Sequence, residues 1–318
     1  LKRSGYRSYM SGKWHVASSL TRPTDTWPLQ RGFDEFFGTI IGAGSFYDPN
    51  TLTRGNTNIE HEATQNAGFF YTDAISDQAV AYIEHHQRTY PATPSFTYVA
   101  YTAPHWPLHA HEEDIAKYKG RFDKGWDALR EERLDKLIAS GILDARWKLT
   151  DRDPTQPPWT HAEHRAWLLR CMEVYAAQVD RMDQGIGRIL DALRRTGQLD
   201  NTLVIFLSDN GACAEDIPEG VTVDELVHKL MIAKSHTRAG DPVHFGNDPG
   251  RMPGPENTYQ SYGTAWANLS NTPFRLYKHW IHEGGISTPL IMHWPTGIAQ
   301  KGAIRHTPPT LSAPLVRR

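Results

Sequence analysis

The strongest constraint on this chain is a long helical pattern that runs straight into an apolar stretch. Trp167, Met172, Tyr175, Val179, Met182, Ile186, Leu190 and Leu193 recur at steps of three to five, the spacing of one helix face. Thr160 and Glu163 have capping-box spacing and predict the helix start there. Thr196-Gly197 closes it, because glycine takes the left-handed conformation that ends helices. Leu203-Val204-Ile205-Phe206-Leu207 follows at once, a continuous run expected of a strand covered on both faces. Helix, short loop and buried strand in that order is the rhythm of a layered α/β domain.

The rest of the chain extends that pattern. Thr72 to Gln87 reads as a helix, with Ala74, Ile75, Ala79, Val80 and Ile83 on one face. Ser95 to Ala100 reads as a buried strand leading into Thr102-Ala103-Pro104-His105, and Pro289 to Trp294 as a further core strand. Residues 1–16 read as a short helix end followed by Ser11-Gly12-Lys13-Trp14-His15-Val16. Residues 17–66 and 239–262 read as loop, and 111–159 as a charged, then proline-rich surface excursion with one helix.

Basic and acidic residues nearly balance, 34 against 36, which argues against nucleic acid as the main partner. No stretch has the apolar length of a membrane span. Two cysteines, Cys171 and Cys213, cannot make a disulfide framework, and Cys171 reads as a small core residue.

Four short segments place charged or metal-capable side chains at turns or strand ends, where ligands gather in open α/β sheets. Ser208-Asp209-Asn210-Gly211 offers two hard oxygen donors that suit Ca²⁺ or Mg²⁺, although Asn-Gly is also a common turn. In Gly12-Lys13-Trp14-His15, an extended backbone puts Lys13 and His15 on one side, where they could hold an anion and move a proton; an exposed lysine beside a half-buried tryptophan is the plainer alternative. His105, bracketed by Pro104 and Pro107, is either a general acid or a cap on the strand end. Lys278 lies among aromatics just before Glu283-Gly284-Gly285, as an anion ligand or as a solvated lysine on an edge.

Taken together and in order, these motifs resemble those of type I sulfatases of the bacterial arylsulfatase kind, within the alkaline-phosphatase-like superfamily. Arg31-Gly32-Phe33-Asp34 and Asp200-Asn201-Thr202 match as well, and the likeness runs from about residue 5 to 300. The resemblance implies an α/β three-layer sandwich, with a large mixed sheet between helices. It implies cleavage of small-molecule sulfate esters by a formylglycine nucleophile, made from a Cys-x-Pro-x-Arg motif by a formylglycine-generating enzyme, with one Ca²⁺ ion. Asp209 and Asn210 would be metal ligands. Lys13 and Lys278 would hold sulfate oxygens, His105 would serve the leaving-group oxygen together with Lys278, and His15 would help release sulfate. A phosphonate monoester hydrolase or phosphodiesterase of the same superfamily, and a non-catalytic sulfate-binding protein, are the alternatives.

The family's acidic metal-ligand pair and its Cys-x-Pro-x-Arg motif precede Gly-Lys-Trp-His, and neither occurs in these residues. The reading therefore expects a catalytic domain over 1–306 without its first strand and C-terminal subdomain, an irregular tail over 307–318, and no turnover by the chain itself.

Overall fold

The computed structural model describes residues 1–306. Its elements are β1 (Arg7–Gly12), β2 (Glu35–Thr39), β3 (Leu52–Arg54), β4 (Thr57–Asn58), α1 (Glu60–Thr64), α2 (Tyr71–Thr89), β5 (Ser95–Ala100), α3 (Glu112–Ala116), α4 (Gly125–Ala139) and α5 (Arg165–Arg195). They continue with β6 (Val204–Leu207), β7 (His244–Phe245), β8 (Thr258–Tyr259), α6 (Gly263–Ser270), α7 (Glu283–Ile286) and β9 (Leu290–His293). The tail expected at 307–318 lies outside the described residues. Among those described, no helix is long and apolar enough to cross a membrane.

The central sheet is mixed and five-stranded, in the order β4-β3-β2-β1-β5. β1 runs parallel to both neighbours, while β2–β3 and β3–β4 are antiparallel. The first part of β1 lies in the stretch read as a short helix end. It is instead a buried strand in which Ser11 Oγ donates to the Ile75 carbonyl at 2.8 Å and the Ser8 backbone amide donates to Asp34 at 2.8 Å. Tyr9 and Met10 between them are fully buried. The segment read as loop over 17–66 likewise contains β2, β3, β4 and α1.

α2 covers one face of the sheet, where Tyr9, Phe37, Leu52, Tyr71, Ile75 and Tyr82 form a core. α5 packs on α2. At their crossing Gly185 leaves no room for a β-carbon, which would lie 2.1 Å from Ser76 Oγ. Arg181 ties the two helices by pairing with Asp73 at 2.6 Å. The opposite face is covered by irregular chain: Trp27, Phe36, Met10 and Ile40 pack with Trp14, Leu20 and Phe33. A second core gathers Trp126, Trp167 and Trp266 between α4, α5 and α6, with Cys171 fully buried in it.

Two further expectations are corrected. α5 begins at Arg165 and not at Thr160; Thr160 lies in a separate 3-10 turn, Trp159–His161. The Trp159 ring stacks edge-on against Trp126 at 4.7 Å, which anchors that turn in the tryptophan cluster and away from the helix axis. The three apolar strands are also less covered than their sequences suggest. β6 and β9 pair only with each other among the described residues, as an antiparallel ribbon apart from the main sheet. Ile291 is 59% exposed, Tyr98 on β5 47% and Ile205 on β6 40%, because no described element covers those sides.

Candidate functional site

The site assembles where β1, β5 and β6 end. Gly12, at the end of β1, has φ of 120°, and a β-carbon there would lie 2.0 Å from the Ala100 carbonyl oxygen. Only glycine allows the strands to stay this close while the chain turns. The next three residues are pinned in sequence: the Lys13 amide donates to Ala100, Trp14 to Thr39 and His15 to Ile40, at 2.8, 2.9 and 3.1 Å. Lys13 is thereby fixed over the sheet end. His15 takes a left-handed conformation, φ 64°, and its ring rests against Gly42, where a β-carbon would lie 2.3 Å from it.

His105 follows β5, with cis peptide bonds at Ala103–Pro104 and Trp106–Pro107. Its Nδ1 lies 2.8 Å from the Trp106 carbonyl. A carbonyl only accepts, so Nδ1 carries the proton and Nε2 offers a lone pair. Burial pushes the imidazole down to about 4, against the opposing Trp106 hydrogen bond and with help from Lys278 and Lys13. His105 is therefore neutral at pH 7.

Lys278 arrives from the far end of the chain. Asn271 builds its loop: Oδ1 accepts from the Ala212 amide at 2.8 Å, and Nδ2 donates to the Leu276 and Gly284 carbonyls at 2.7 and 2.6 Å. The Lys278 amide then donates to the Ala212 carbonyl at 3.0 Å. Its ammonium lies 3.2 Å from His105 Nε2 and 3.2 Å from Glu215 Oε2. Glu215 is the hub that the sequence did not disclose. It also accepts from Trp106 Nε1 at 2.8 Å, Cys213 Sγ at 3.2 Å and His279 Nε2 at 2.7 Å. Burial alone would raise its carboxyl, but these bonds and the Lys278 charge outweigh it and hold the group at about 2.

The same neighbourhood contains Asp209. Burial lowers the Lys13 ammonium, Asp209 opposes that shift and Lys278 adds to it. His15 is lowered by burial, then by Lys13 and Lys278, with Asp209 again opposing. Five of the six residues singled out from sequence thus share one electrostatic pocket: two lysines, two histidines and one carboxylate. Asn210 adjoins Asp209 in the chain and is half-buried. The donors Asp209 and Asn210 fit a hard cation in kind, but two oxygens are fewer than the six to eight that Ca²⁺ takes. Such a pocket, with two cations beside a neutral imidazole, can hold a tetrahedral dianion and supply it with a proton.

The sulfatase family model matches residues 1–313. The chain belongs to the sulfatase family. It is 33% identical over 316 residues to an uncharacterized sulfatase of Schizosaccharomyces pombe, covering 93% of this chain and 52% of that protein. It is 30% identical over 314 residues to an arylsulfatase of Klebsiella aerogenes, covering 95% and 62% respectively. This sulfatase chain therefore spans a little over half the length of those relatives. A solved structure described as Ps i-CgsB in complex with k-i-k-neocarrahexaose superposes with a TM-score of 0.53 at 21% identity, over 92% of this chain and 46% of that one. The fold is the alkaline-phosphatase-like α/β fold that the motifs implied.

Proposed function

We propose that residues 1–306 form the sulfate-holding part of a sulfatase catalytic domain that acts on small-molecule sulfate esters of the arylsulfatase type. The observation that carries this reading is the Lys278 ammonium 3.2 Å from the neutral His105 Nε2, with Lys13 in the same pocket. Lys13 and Lys278 hold sulfate oxygens, and their charges oppose the charge that develops on them in the transition state. His105 has no proton on Nε2 to give at neutral pH. The proton for the leaving oxygen comes from the Lys278 ammonium, which His105 Nε2 and Glu215 orient. His15, at the exposed edge of the pocket, assists sulfate release.

Ca²⁺, when bound, would be held in part by Asp209 and Asn210 and would draw charge from a sulfate oxygen. The family's nucleophile, formylglycine, needs a Cys-x-Pro-x-Arg sequence, and these 318 residues contain none. The chain by itself accordingly binds sulfate without turning over an ester.

Calorimetry with sulfate, together with an aryl sulfate hydrolysis assay, tests both halves. Saturable sulfate binding that is lost in Lys13→Met and Lys278→Met, without hydrolysis, is expected. No binding by the unaltered chain refutes the anion site. Hydrolysis that disappears in His105→Ala refutes the claim of no turnover.

A further inference from the structure

The pocket also contains a softer ligand set than the family's chemistry uses. We propose that His105, Cys213 and Glu215 form a site for a transition-metal ion of the Zn²⁺ class, distinct from the hard donors Asp209 and Asn210, and that the ion takes the place of the Lys278 ammonium. A ring nitrogen of His105, Cys213 Sγ and a Glu215 carboxylate oxygen all lie within 4.8 Å of one another. Tetrahedral zinc places such atoms about 3–4 Å apart, so shifts of about an ångström close the site. Cys213 Sγ and Glu215 Oε2 are already 3.2 Å apart.

The surroundings orient each ligand as metal sites do. His105 gives its Nδ1 proton to a backbone carbonyl, which leaves Nε2 as the donor and fixes the ring. Trp106 and His279 hold the Glu215 carboxylate. The thiolate selects Zn²⁺, Co²⁺ or Cd²⁺ over Ca²⁺ and Mg²⁺. The position of positive charge is marked by the Lys278 ammonium, which touches both His105 Nε2 and Glu215 Oε2.

On binding, the Cys213 S–H bond breaks and its proton goes to solvent as the sulfur–metal bond forms. Lys278 keeps its proton and swings away. No electron changes hands, and water fills the fourth position. Loading removes Lys278 and His105 from the anion pocket, so the ion and sulfate exclude one another; this consequence alone rests on the sulfate reading.

The test is titration of the 318-residue chain with Co²⁺, which reports thiolate ligation by charge-transfer absorption in the near ultraviolet, and with Zn²⁺ by calorimetry in buffers of different ionisation enthalpy. Expected are a saturable charge-transfer band, release of about one proton per Zn²⁺, loss of the band in Cys213→Ser, and affinity weakened about tenfold or more in Glu215→Gln. Asp209→Asn should leave the band intact. Circular dichroism of each variant shows that it is folded. A wild-type chain with no band, or a band that survives Cys213→Ser, overturns the site. If the band forms but sulfate does not weaken it, the metal site stands and the competition is overturned.

Discussion

Acidification should find His105 titrating near pH 4, well below the 6.5 of an ordinary imidazole. Burial is the first cause. The hydrogen bond to the Trp106 carbonyl opposes it, and the Lys278 and Lys13 charges add to it. In the unfolded chain the same ring takes its proton near 6.5, so the unfolded state binds protons first as pH falls. The stability held by a neutral His105 is therefore complete above pH 6.5 and is lost between 6.5 and 4. At about 1.4 kcal/mol per pH unit the ceiling is about 3 kcal/mol. The ring is partly exposed, and solvent screening brings the observed cost below that ceiling. Proton NMR of the imidazole Cε1–H signals gives the midpoint, with the His105 signal assigned by its absence in His105→Gln. That assignment matters because buried His109 is also pushed down to about 4. Lys278→Met should raise the His105 midpoint without restoring 6.5, since burial is the larger cause. Saturating sulfate should raise it too. A wild-type midpoint at or above 6.5, or one indifferent to Lys278→Met, would refute the neutral-imidazole argument.

Gly12→Ala should destabilise the fold by about 3 kcal/mol or more, because the new methyl meets the Ala100 carbonyl oxygen at 2.0 Å in a backbone conformation that alanine resists. A denaturant midpoint corresponding to less than about 1 kcal/mol would show that the strands part easily. Asn271→Ala removes the acceptor for Ala212 and both donors to Leu276 and Gly284. It should cost about 2–4 kcal/mol in denaturant unfolding, and sulfate affinity measured on the folded fraction should fall with it as Lys278 loses its support.

Much of the pocket was legible because its chemistry is concentrated in short motifs. Lys13 and His105 were readable as residues that follow a glycine or a strand, and Lys278 as a lysine among aromatics just before a Gly-Gly pair; the fold joins His105 to Lys278 across 173 positions. Glu215 was not readable. It lies in Ala214-Glu215-Asp216, a stretch without periodicity, and its partners Trp106 and His279 are 109 and 64 positions away. A carboxylate hub is defined by what converges on it, and convergence leaves no mark on the local sequence. Cys213 stands three positions after Asn210 in the chain, yet its bond to Glu215 depends on the same hub.

The strands carry a parallel lesson about what an apolar pattern encodes. Val204 to Leu207 and Leu290 to His293 do form strands, and they pair in register from Val204–His293 to Leu207–Leu290. The first was read as covered on both faces and the second as a core strand, yet Ile205 and Ile291 remain substantially exposed. β1 shows the converse: Ser8 and Ser11 interrupt its apolar residues, and the strand is nonetheless buried, with the Ser11 hydroxyl paired to the Ile75 carbonyl and the Ser8 backbone amide to Asp34. An apolar run records the free energy that cover would release, about 25 cal/mol per Å² of surface removed from water. Whether cover exists depends on the partners that pack against the strand. In β1 the partners are α2 and the 14–33 segment, and cover overrides an unpromising pattern. In β6 and β9 the pattern is strong, but the described elements leave residues on both faces open, Ile205 and Phe206 in one strand and Ile291 and Met292 in the other. Sequence therefore located the strands that want burial, and tertiary contacts decided which of them obtain it.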